Sequence, residues 1–365
     1  MSIRPDLRPT WADIDLAAFD RNIDAINARL PDGSRLIAVL KANAYGHGAI
    51  EVAKRCTPDR VAMIATALLE ESLALRHAGI TLPLLVLGPL SEAQIREAVR
   101  NDITIGVVDP EELETAAHVD GVRVHLKLDS GMGRMGVVES ELPRVAEILR
   151  ASRLKLDAIY THLANADDPD DPFTDEQIAR FRTLLATLRE AGIDAPPHHV
   201  ANSAATMRGL IDPGDYVRVG IALFGAEAVP KTRLEPVLRW RTEIARLKDL
   251  PPGHAIGYGT TFHTKRASRI ATLPVGYADG YNRRLSNRGE VLLRGKRAPV
   301  VGRVSMDLVT IDVTDIDAAL GDEVVLLGKQ GSDEIAVEEL AAKLDTISYE
   351  VFCNISARVP RVHHA

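Results

Sequence analysis

Several features that assign a chain to a broad class are missing from this sequence. Its 365 residues include two cysteines, Cys56 and Cys353, which lie far apart and indicate neither a disulfide framework nor a metal site. No apolar stretch approaches the ~20 residues that span a bilayer. Residues 1–10 carry charges without an apolar core, so they do not predict a secretory signal.

The charge balance excludes a further class of partner. The net charge is −7, and the lysines and arginines are scattered along the chain. Such a chain has no basic surface that would hold nucleic acid or an anionic membrane. We therefore expect a cytoplasmic protein of the bacterial kind.

From about residue 12 to residue 230, short apolar runs alternate with helical patterns. Apolar strands that alternate with helices indicate a parallel sheet with both faces covered. Eight such units favour a (β/α)8 barrel of the TIM type over an open doubly wound sheet. The predicted strands are 35–40, 61–65, 84–88, 104–108, 122–128, 156–162, 198–201 and 216–219.

The pattern changes near residue 231. Beyond it, apolar runs are punctuated by glycine and proline, and only 337–344 and 346–353 have a helical pattern. We predict a mostly-β second domain over residues 231–365, to which the N-terminal residues 1–11 add a strand. A chain of this length is expected to form two domains.

A lysine follows the first predicted strand. Residues 36–40 form an apolar run, and Lys41 stands at its end. A lysine there packs its stem and holds its amine at the sheet edge, partly desolvated, as a nucleophile or Schiff-base partner requires. The alternative is a lysine that only closes the strand. Tyr45, Gly46 and Gly48 favour the first interpretation, because such a loop lets a ligand approach the backbone.

Other polar side chains stand at or after the ends of later strands, where barrels carry functional groups. Taken singly, His162 would be a hydrogen-bonded core residue. Arg218 would pair with an acid such as Asp215, and Lys127 would lie beside Asp129. Their convergence on one mouth is not expected of a core alone. The set consists of Lys41, Lys127, Arg134, His162, Ser203 and Arg218.

Two of these positions predict anion binding. Arg134 lies among glycines on an exposed loop, where a guanidinium suits a bidentate clamp on a small carboxylate. Ser203, Gly220 and Ile221 lie after strands seven and eight, where barrels commonly bind phosphate through backbone N–H groups.

The segment from Lys41 to Gly48, Lys-Ala-Asn-Ala-Tyr-Gly-His-Gly, resembles the pyridoxal-phosphate-binding segment of alanine racemases. Further similar segments follow in order along nearly the whole chain, at 255–262, 275–281, 302–307 and 348–350. Two departures are mild. Ser305 stands where many members have cysteine, and Phe224 where many have tyrosine.

The resemblance implies pyridoxal 5'-phosphate as the cofactor, carried covalently by Lys41. It implies that Tyr45 contacts the phosphate, that His162 lies against the cofactor ring and that Arg218 faces the pyridine nitrogen. Tyr349 is implied near the phosphate and the pocket rim. The loops that contain Ser203, Gly220 and Ile221 would complete the phosphate site.

For the substrate, the resemblance implies Arg134 at the carboxylate, Met306 at the same carboxylate through its backbone, and Tyr277 at the entrance. Lys127 matches a lysine that is often carbamylated in the family. Racemisation needs one base on each face of the α-carbon. Lys41 can be one of them, and the resemblance implies Tyr258 of the opposite subunit in a homodimer as the other.

The predicted function is interconversion of L- and D-alanine, which supplies D-alanine for bacterial peptidoglycan. A racemase of broader or serine preference is the nearest alternative, because one methylene or hydroxyl changes binding by only ~1–3 kcal/mol. A decarboxylase of the same architecture would lack the tyrosine at position 258. A non-catalytic pyridoxal-phosphate carrier would lack the second domain.

Overall fold

The computed structural model describes residues 8–194 and 196–365. This part of the chain forms two compact units. The barrel unit comprises residues 20–44 and 49–234. The β unit comprises residues 45–48 and 235–365 together with the described residues up to Phe19.

The barrel unit contains eight parallel strands. Each of the first six pairs with the strand that follows it, and the first also pairs with the eighth. The backbone N–H of Arg218 donates to the carbonyl of Ala201 at 2.8 Å and joins the seventh strand's end to the eighth. The predicted barrel is confirmed. Its strands are Arg35–Val39, Met63–Thr66, Leu84–Val86, Ile103–Val107, Arg123–Lys127, Lys155–Tyr160, His198–His199 and Tyr216–Val219.

Helices follow the barrel strands, and local sequence signals set where several begin. The hydroxyl of Ser91 accepts the backbone N–H of Gln94 and caps one helix. The carboxylate of Asp109 accepts the N–H of Glu112 at 2.7 Å ahead of a first-turn proline. The longer helices are Leu16–Asn27, Leu69–His77, Glu92–Arg100, Pro110–Ala117, Leu142–Ala151 and Phe173–Glu190, and the short ones are Ala49–Ala53 and Ser203–Met207.

The β unit is built around a seven-stranded sheet in which the N-terminal strand Thr10–Asp15 is internal. That strand pairs antiparallel with Leu238–Glu243 and parallel with Arg361–His364. The domain bound that we predicted at residue 12 therefore falls inside a strand of the β unit. The second stretch of the β unit begins at Glu235, whereas the predicted second domain begins at residue 231. Residues 1–7 of the predicted N-terminal piece lie outside the described part.

The remainder of the β unit confirms a mostly-β fold with two helices, Val337–Leu344 and Ser348–Asn354. Residues 238–250 are divided between two sheets, because the chain changes sheet at Ile244. The other strands are Arg246–Leu250, Ala255–Ile256, Phe262–His263, Ser268–Leu273, Glu290–Leu293, Lys296–Pro299, Val309–Asp312, Glu323–Gln330 and Asp333–Ile335. No helix in the described ranges has both the length and the apolar sequence needed to span a bilayer.

Candidate functional site

Lys41 follows the first barrel strand and begins a left-handed helical turn. Ala42, Asn43 and Ala44 have φ of 51°, 55° and 55°, and Tyr45 continues the series with a φ of 51°. The turn is made by four consecutive non-glycine residues, and each such residue costs roughly 1–2 kcal/mol.

Two side-chain hydrogen bonds hold this backbone, one from Glu71 outside the turn and one from Asn43 within it. A carboxylate oxygen of Glu71 accepts the N–H of Ala42 at 2.6 Å, and Asn43 Oδ1 accepts the N–H of Ala49 at 2.8 Å. Strain that the surroundings enforce in this way concentrates at functional sites. Lys41 itself is exposed in the single chain, in contrast to the partial desolvation that we predicted.

Arg218 lies inside the barrel and is almost completely buried. Its Nη2 donates to the carbonyl of Thr161 at 2.6 Å and to His162 Nδ1 at 3.1 Å. Its Nη1 donates to His199 Nδ1 at 2.9 Å and also to the carbonyl of His199. Its acceptors are thus carbonyls and imidazoles. The carboxylate of Asp215, the partner considered from sequence, accepts the N–H of His198 at 3.2 Å instead.

A buried chain of imidazoles extends from Arg218. A guanidinium only donates hydrogen bonds, so His199 Nδ1 accepts and the proton of His199 lies on Nε2. That nitrogen lies 2.9 Å from His125 Nδ1, which must therefore accept. Burial, and then the positive charge of Arg218, holds the pKa of His199 well below 6.5. Burial lowers the pKa of His125 to about 3. Both histidines are therefore neutral at neutral pH.

The charges of four cations act on His162, and one of them, Arg218, donates a hydrogen bond to it at 3.1 Å. Burial, followed by the charges of Arg218, Lys127, Arg134 and Lys41, lowers its pKa to about 3. The same crowding acts on Lys127, where burial and then the charges of Arg134 and Arg218 lower the pKa to about 8. Cations whose charges lower the pKa values of nearby groups in this way create a positive potential, which is suited to bind anions.

Arg134 is exposed on a loop that Asp129 organises. The Asp129 carboxylate accepts the N–H of Gly131 at 2.8 Å and the N–H of Gly133 at 2.9 Å. Gly131 has a φ of 136°, a region in which other residues are strained. The loop backbone is therefore fixed by a side chain while the guanidinium of Arg134 remains in solvent.

Ser203 and Gly220 are joined to each other. The N–H of Gly220 donates to Ser203 Oγ at 3.0 Å. The Gly220 N–H is therefore engaged within the protein, in contrast to the free anion donor that we predicted. Because Ser203 Oγ already accepts this bond, its own hydroxyl proton remains available to a ligand. Ile221 is fully buried and begins the short 3-10 helix Ile221–Phe224.

The site residues predicted in the β unit are exposed. The exposed fractions are 70% for Tyr258, 42% for Tyr277, 52% for Met306 and 39% for Tyr349. The N–H of Tyr277 donates to the carbonyl of Ser305 at 3.0 Å, so Tyr277 and Met306 lie on adjoining loops. The aromatic rings of Tyr45 and Tyr349 are in edge contact, with centroids 5.8 Å apart.

Sequence reasoning missed His125 and His199. A signal for His125 was present, because residues two apart on a strand face the same side and His125 precedes Lys127 by two. His199 has no local signal, because its importance comes from its contact with Arg218. In the described part of the chain, no group of three or more His, Cys, Asp or Glu side chains is arranged to hold a metal ion.

Comparisons with known proteins find the same family along nearly the whole chain. The family model for the alanine racemase N-terminal domain matches residues 14–228, and that for the C-terminal domain matches residues 237–363. The alanine racemase of Symbiobacterium thermophilum is 44% identical, with 98% of this chain and 97% of that protein covered.

Solved structures are similar as well. The alanine racemase of Bacillus anthracis with bound L-Ala-P has a TM-score of 0.91 at 39% identity, and the match covers 98% of this chain and 95% of that one. The alanine racemase of E. faecalis has a TM-score of 0.91 at 36% identity, and the coverage is 98% and 99%.

Proposed function

The chain belongs to the alanine racemase family, and we propose that it interconverts L- and D-alanine with pyridoxal 5'-phosphate as its cofactor. The observation that carries the proposal is the buried Arg218, which donates to His162 at 3.1 Å, together with three further cations whose charges act on the same histidine. The cofactor's phosphate and the substrate's carboxylate are both anions, and such a group favours both. Two of these cations, Lys41 and Arg134, are exposed and accessible to a small molecule.

The donors of Arg218 fit the cofactor ring. Its two Nη atoms are engaged with Thr161, His162 and His199. Within the part of the chain that the structure describes, its Nε–H has no protein acceptor, so this donor suits an unprotonated pyridine nitrogen. Burial lowers the pKa of Arg218 only to about 10, and the guanidinium stays protonated at neutral pH. A permanent donor cannot stabilise a protonated ring nitrogen.

The remaining cofactor contacts would come from Lys41, Tyr45, Ser203, Ile221 and Tyr349. Lys41 would attach the cofactor covalently, the hydroxyl of Ser203 would donate to the phosphate, and the tyrosines would contact the same phosphate. When bound, pyridoxal 5'-phosphate withdraws electrons from the α-carbon and acidifies its proton. The donor at Arg218 keeps that withdrawal modest, which suits a reaction that only removes and returns one proton.

Lys41 and Tyr258 would serve as the two bases, one on each face of the α-carbon. Arg134 and the backbone of Met306 would hold the substrate carboxylate, with Tyr277 at the entrance. A pKa of about 8 leaves part of Lys127 neutral near neutral pH, and a neutral amine is the form that carbon dioxide carbamylates. A carbamate at Lys127 would orient Arg134 by charge, whereas an ammonium repels it.

We propose that the enzyme works as a homodimer in which Tyr258 acts on the cofactor of the other subunit. The support is the exposure of large apolar side chains on the β unit, among them Tyr258, Met306 and Ile347 at 70%, 52% and 61%. A two-fold dimer would repeat the same contact and form two identical shared sites. The expected setting is the bacterial cytoplasm, where D-alanine is needed for peptidoglycan.

The direct test is an assay of purified protein with added pyridoxal 5'-phosphate. We expect loss of optical rotation of L-alanine, much slower loss for L-serine, and an absorbance spectrum of covalently bound cofactor. Equal rates would favour the alternative of a broader or serine racemase. A protein that binds the cofactor and racemises neither amino acid would refute the function.

Sharing of the site is tested by mixing Lys41→Ala and Tyr258→Phe variants under conditions that exchange subunits. In a mixed dimer one site collects both defects and the other is intact. With random pairing about a quarter of all sites become intact, and activity should rise towards that fraction. A mixture that stays inactive while mass spectrometry detects heterodimers would place both bases in one chain.

A further inference from the structure

The guanidinium of Arg361 hydrogen-bonds only to backbone carbonyls in the described part of the chain. Its Nε donates to Gly46 at 2.8 Å, and its Nη1 donates to Ser356 at 2.6 Å and to Val359 at 2.7 Å. Its Nη2 donates to Ile355 at 2.5 Å. A planar fork with five N–H groups can reach four carbonyls at once, which the three N–H groups of a lysine cannot reproduce.

These carbonyls belong to two segments that each carry a predicted phosphate ligand. Gly46 directly follows Tyr45. Ile355 directly follows the helix Ser348–Asn354, which carries Tyr349. Arg361 therefore joins the backbone beside one tyrosine to the end of the helix that carries the other, and the two rings are in edge contact at 5.8 Å.

Two further contacts hold the same junction. His363 Nε2 lies 2.9 Å from the carbonyl of His47, and the ring of His47 packs edge-on against Phe352 with centroids 4.9 Å apart. A Cβ on Gly46 would lie 2.7 Å from the carbonyl oxygen of Phe352, so only glycine allows this approach. The segment 45–48 is thus anchored by the last strand and the last helix of the β unit.

We propose that Arg361 is a positioning residue for the cofactor's phosphate, because it holds Tyr45 and Tyr349 in the mutual arrangement that binds a single phosphate group. This inference rests on the proposed function, since it assigns these two tyrosines to pyridoxal 5'-phosphate. A purely structural role for Arg361 would stabilise the β unit and affect every ligand of the site alike. A positioning role acts on the phosphate alone.

The test compares two ligands that differ only in the phosphate. Apo-protein is prepared from the wild type, from Arg361→Lys and from the control Arg294→Lys, which replaces an exposed arginine of the β unit that pairs with Asp317 and Asp322. Each is titrated with pyridoxal 5'-phosphate and with pyridoxal, followed by absorbance. For Arg361→Lys we expect about tenfold weaker binding of pyridoxal 5'-phosphate, the equivalent of one charge-assisted hydrogen bond, and unchanged binding of pyridoxal.

A double-mutant cycle tests whether Arg361 affects phosphate binding through Tyr45. If Arg361 acts through Tyr45, then Arg361→Lys should weaken pyridoxal 5'-phosphate binding far less in a Tyr45→Phe background than in the wild type. Hydrogen exchange of the apo-proteins should be faster at residues 45–48 in Arg361→Lys and unchanged in Arg294→Lys. If Arg361→Lys does not fold, Arg361→Gln, which keeps a planar donor, replaces it in every measurement.

Each outcome decides a separate question. Equal weakening of both ligands, or no weakening of either, overturns the positioning role while the proposed function stands. Additive effects with Tyr45→Phe overturn the route through Tyr45. If the wild type and Arg294→Lys both fail to bind pyridoxal 5'-phosphate, the proposed function fails first.

Discussion

The two units differ in how they hold their candidate site residues. In the barrel unit, Arg218 is 4% exposed, and every contact of its two Nη atoms is to a protein carbonyl or imidazole. In the β unit, Tyr258 is 70% exposed on a short turn that follows Gly257, which has a φ of 73°. One unit holds its polar groups in an internal network, and the other presents its side chains at its surface.

This difference indicates a division of labour. Buried groups that are already hydrogen-bonded do not reorganise when charge develops nearby, which is the property that electrostatic stabilisation requires. An exposed tyrosine lacks that preorganisation until another surface covers it. In the proposed dimer, the barrel unit would supply the fixed electrostatic environment, and the β unit would supply exposed side chains that the partner subunit covers.

The largest effect is expected at Lys41. Lys41→Ala should lower racemisation by roughly 10³-fold or more, because it removes both the proposed covalent attachment and one of the two proposed bases. Borohydride reduction of the loaded wild type followed by peptide mapping should find the label on Lys41. Label found on Lys127 would show that the cofactor is attached at the end of another strand, and the role proposed for Lys41 would be wrong.

Tyr258→Phe tests whether the exposed tyrosine is a base. We expect loss of α-proton exchange of roughly 10²-fold or more on one enantiomer of alanine and a much smaller loss on the other. Deuterium wash-in is measured on L- and D-alanine separately, before racemisation is complete. Small and equal losses would show that Tyr258 only shapes the pocket.

Arg218→Lys sharpens the contrast between buried and exposed cations. A lysine cannot satisfy the carbonyl of Thr161 and both imidazoles, so we expect a decrease of about 3 kcal/mol in the free energy of unfolding. The matched control Arg134→Lys, on the exposed loop, should change it by less than about 0.5 kcal/mol. Urea denaturation measures both. A similar small change in the two variants would contradict the fixed network.

The smallest effect is a pH dependence. Burial lowers the pKa of His125 from 6.5 to about 3, so between these pH values the unfolded state binds a proton that the folded state does not. Stability should therefore fall as pH decreases from about 6.5 to about 3. His125→Gln should reduce that slope by about 1.4 kcal/mol per pH unit. Urea denaturation of the wild type and of the variant at pH 5 and 6 measures it.

Local patterns in the sequence were sufficient for the architecture. The eight barrel strands were predictable because each is a short apolar run, and hydrophobic periodicity is a property of neighbouring residues. The position of Lys41 at a strand end was predictable for the same reason. Helix starts at Ser91 and Asp109 follow from capping side chains only three residues away from the amides they accept.

Tertiary structure alone decided the features that join distant residues. His125 meets His199 across 74 positions, and Arg361 meets Gly46 across 315. The left-handed turn after Lys41 depends on Glu71, whose carboxylate lies 29 positions away from the amide it accepts. No local propensity favours alanine with a positive φ, so such a backbone exists only where the folded surroundings enforce it. Sequence patterns report which residues are buried, whereas the fold decides which buried residues touch.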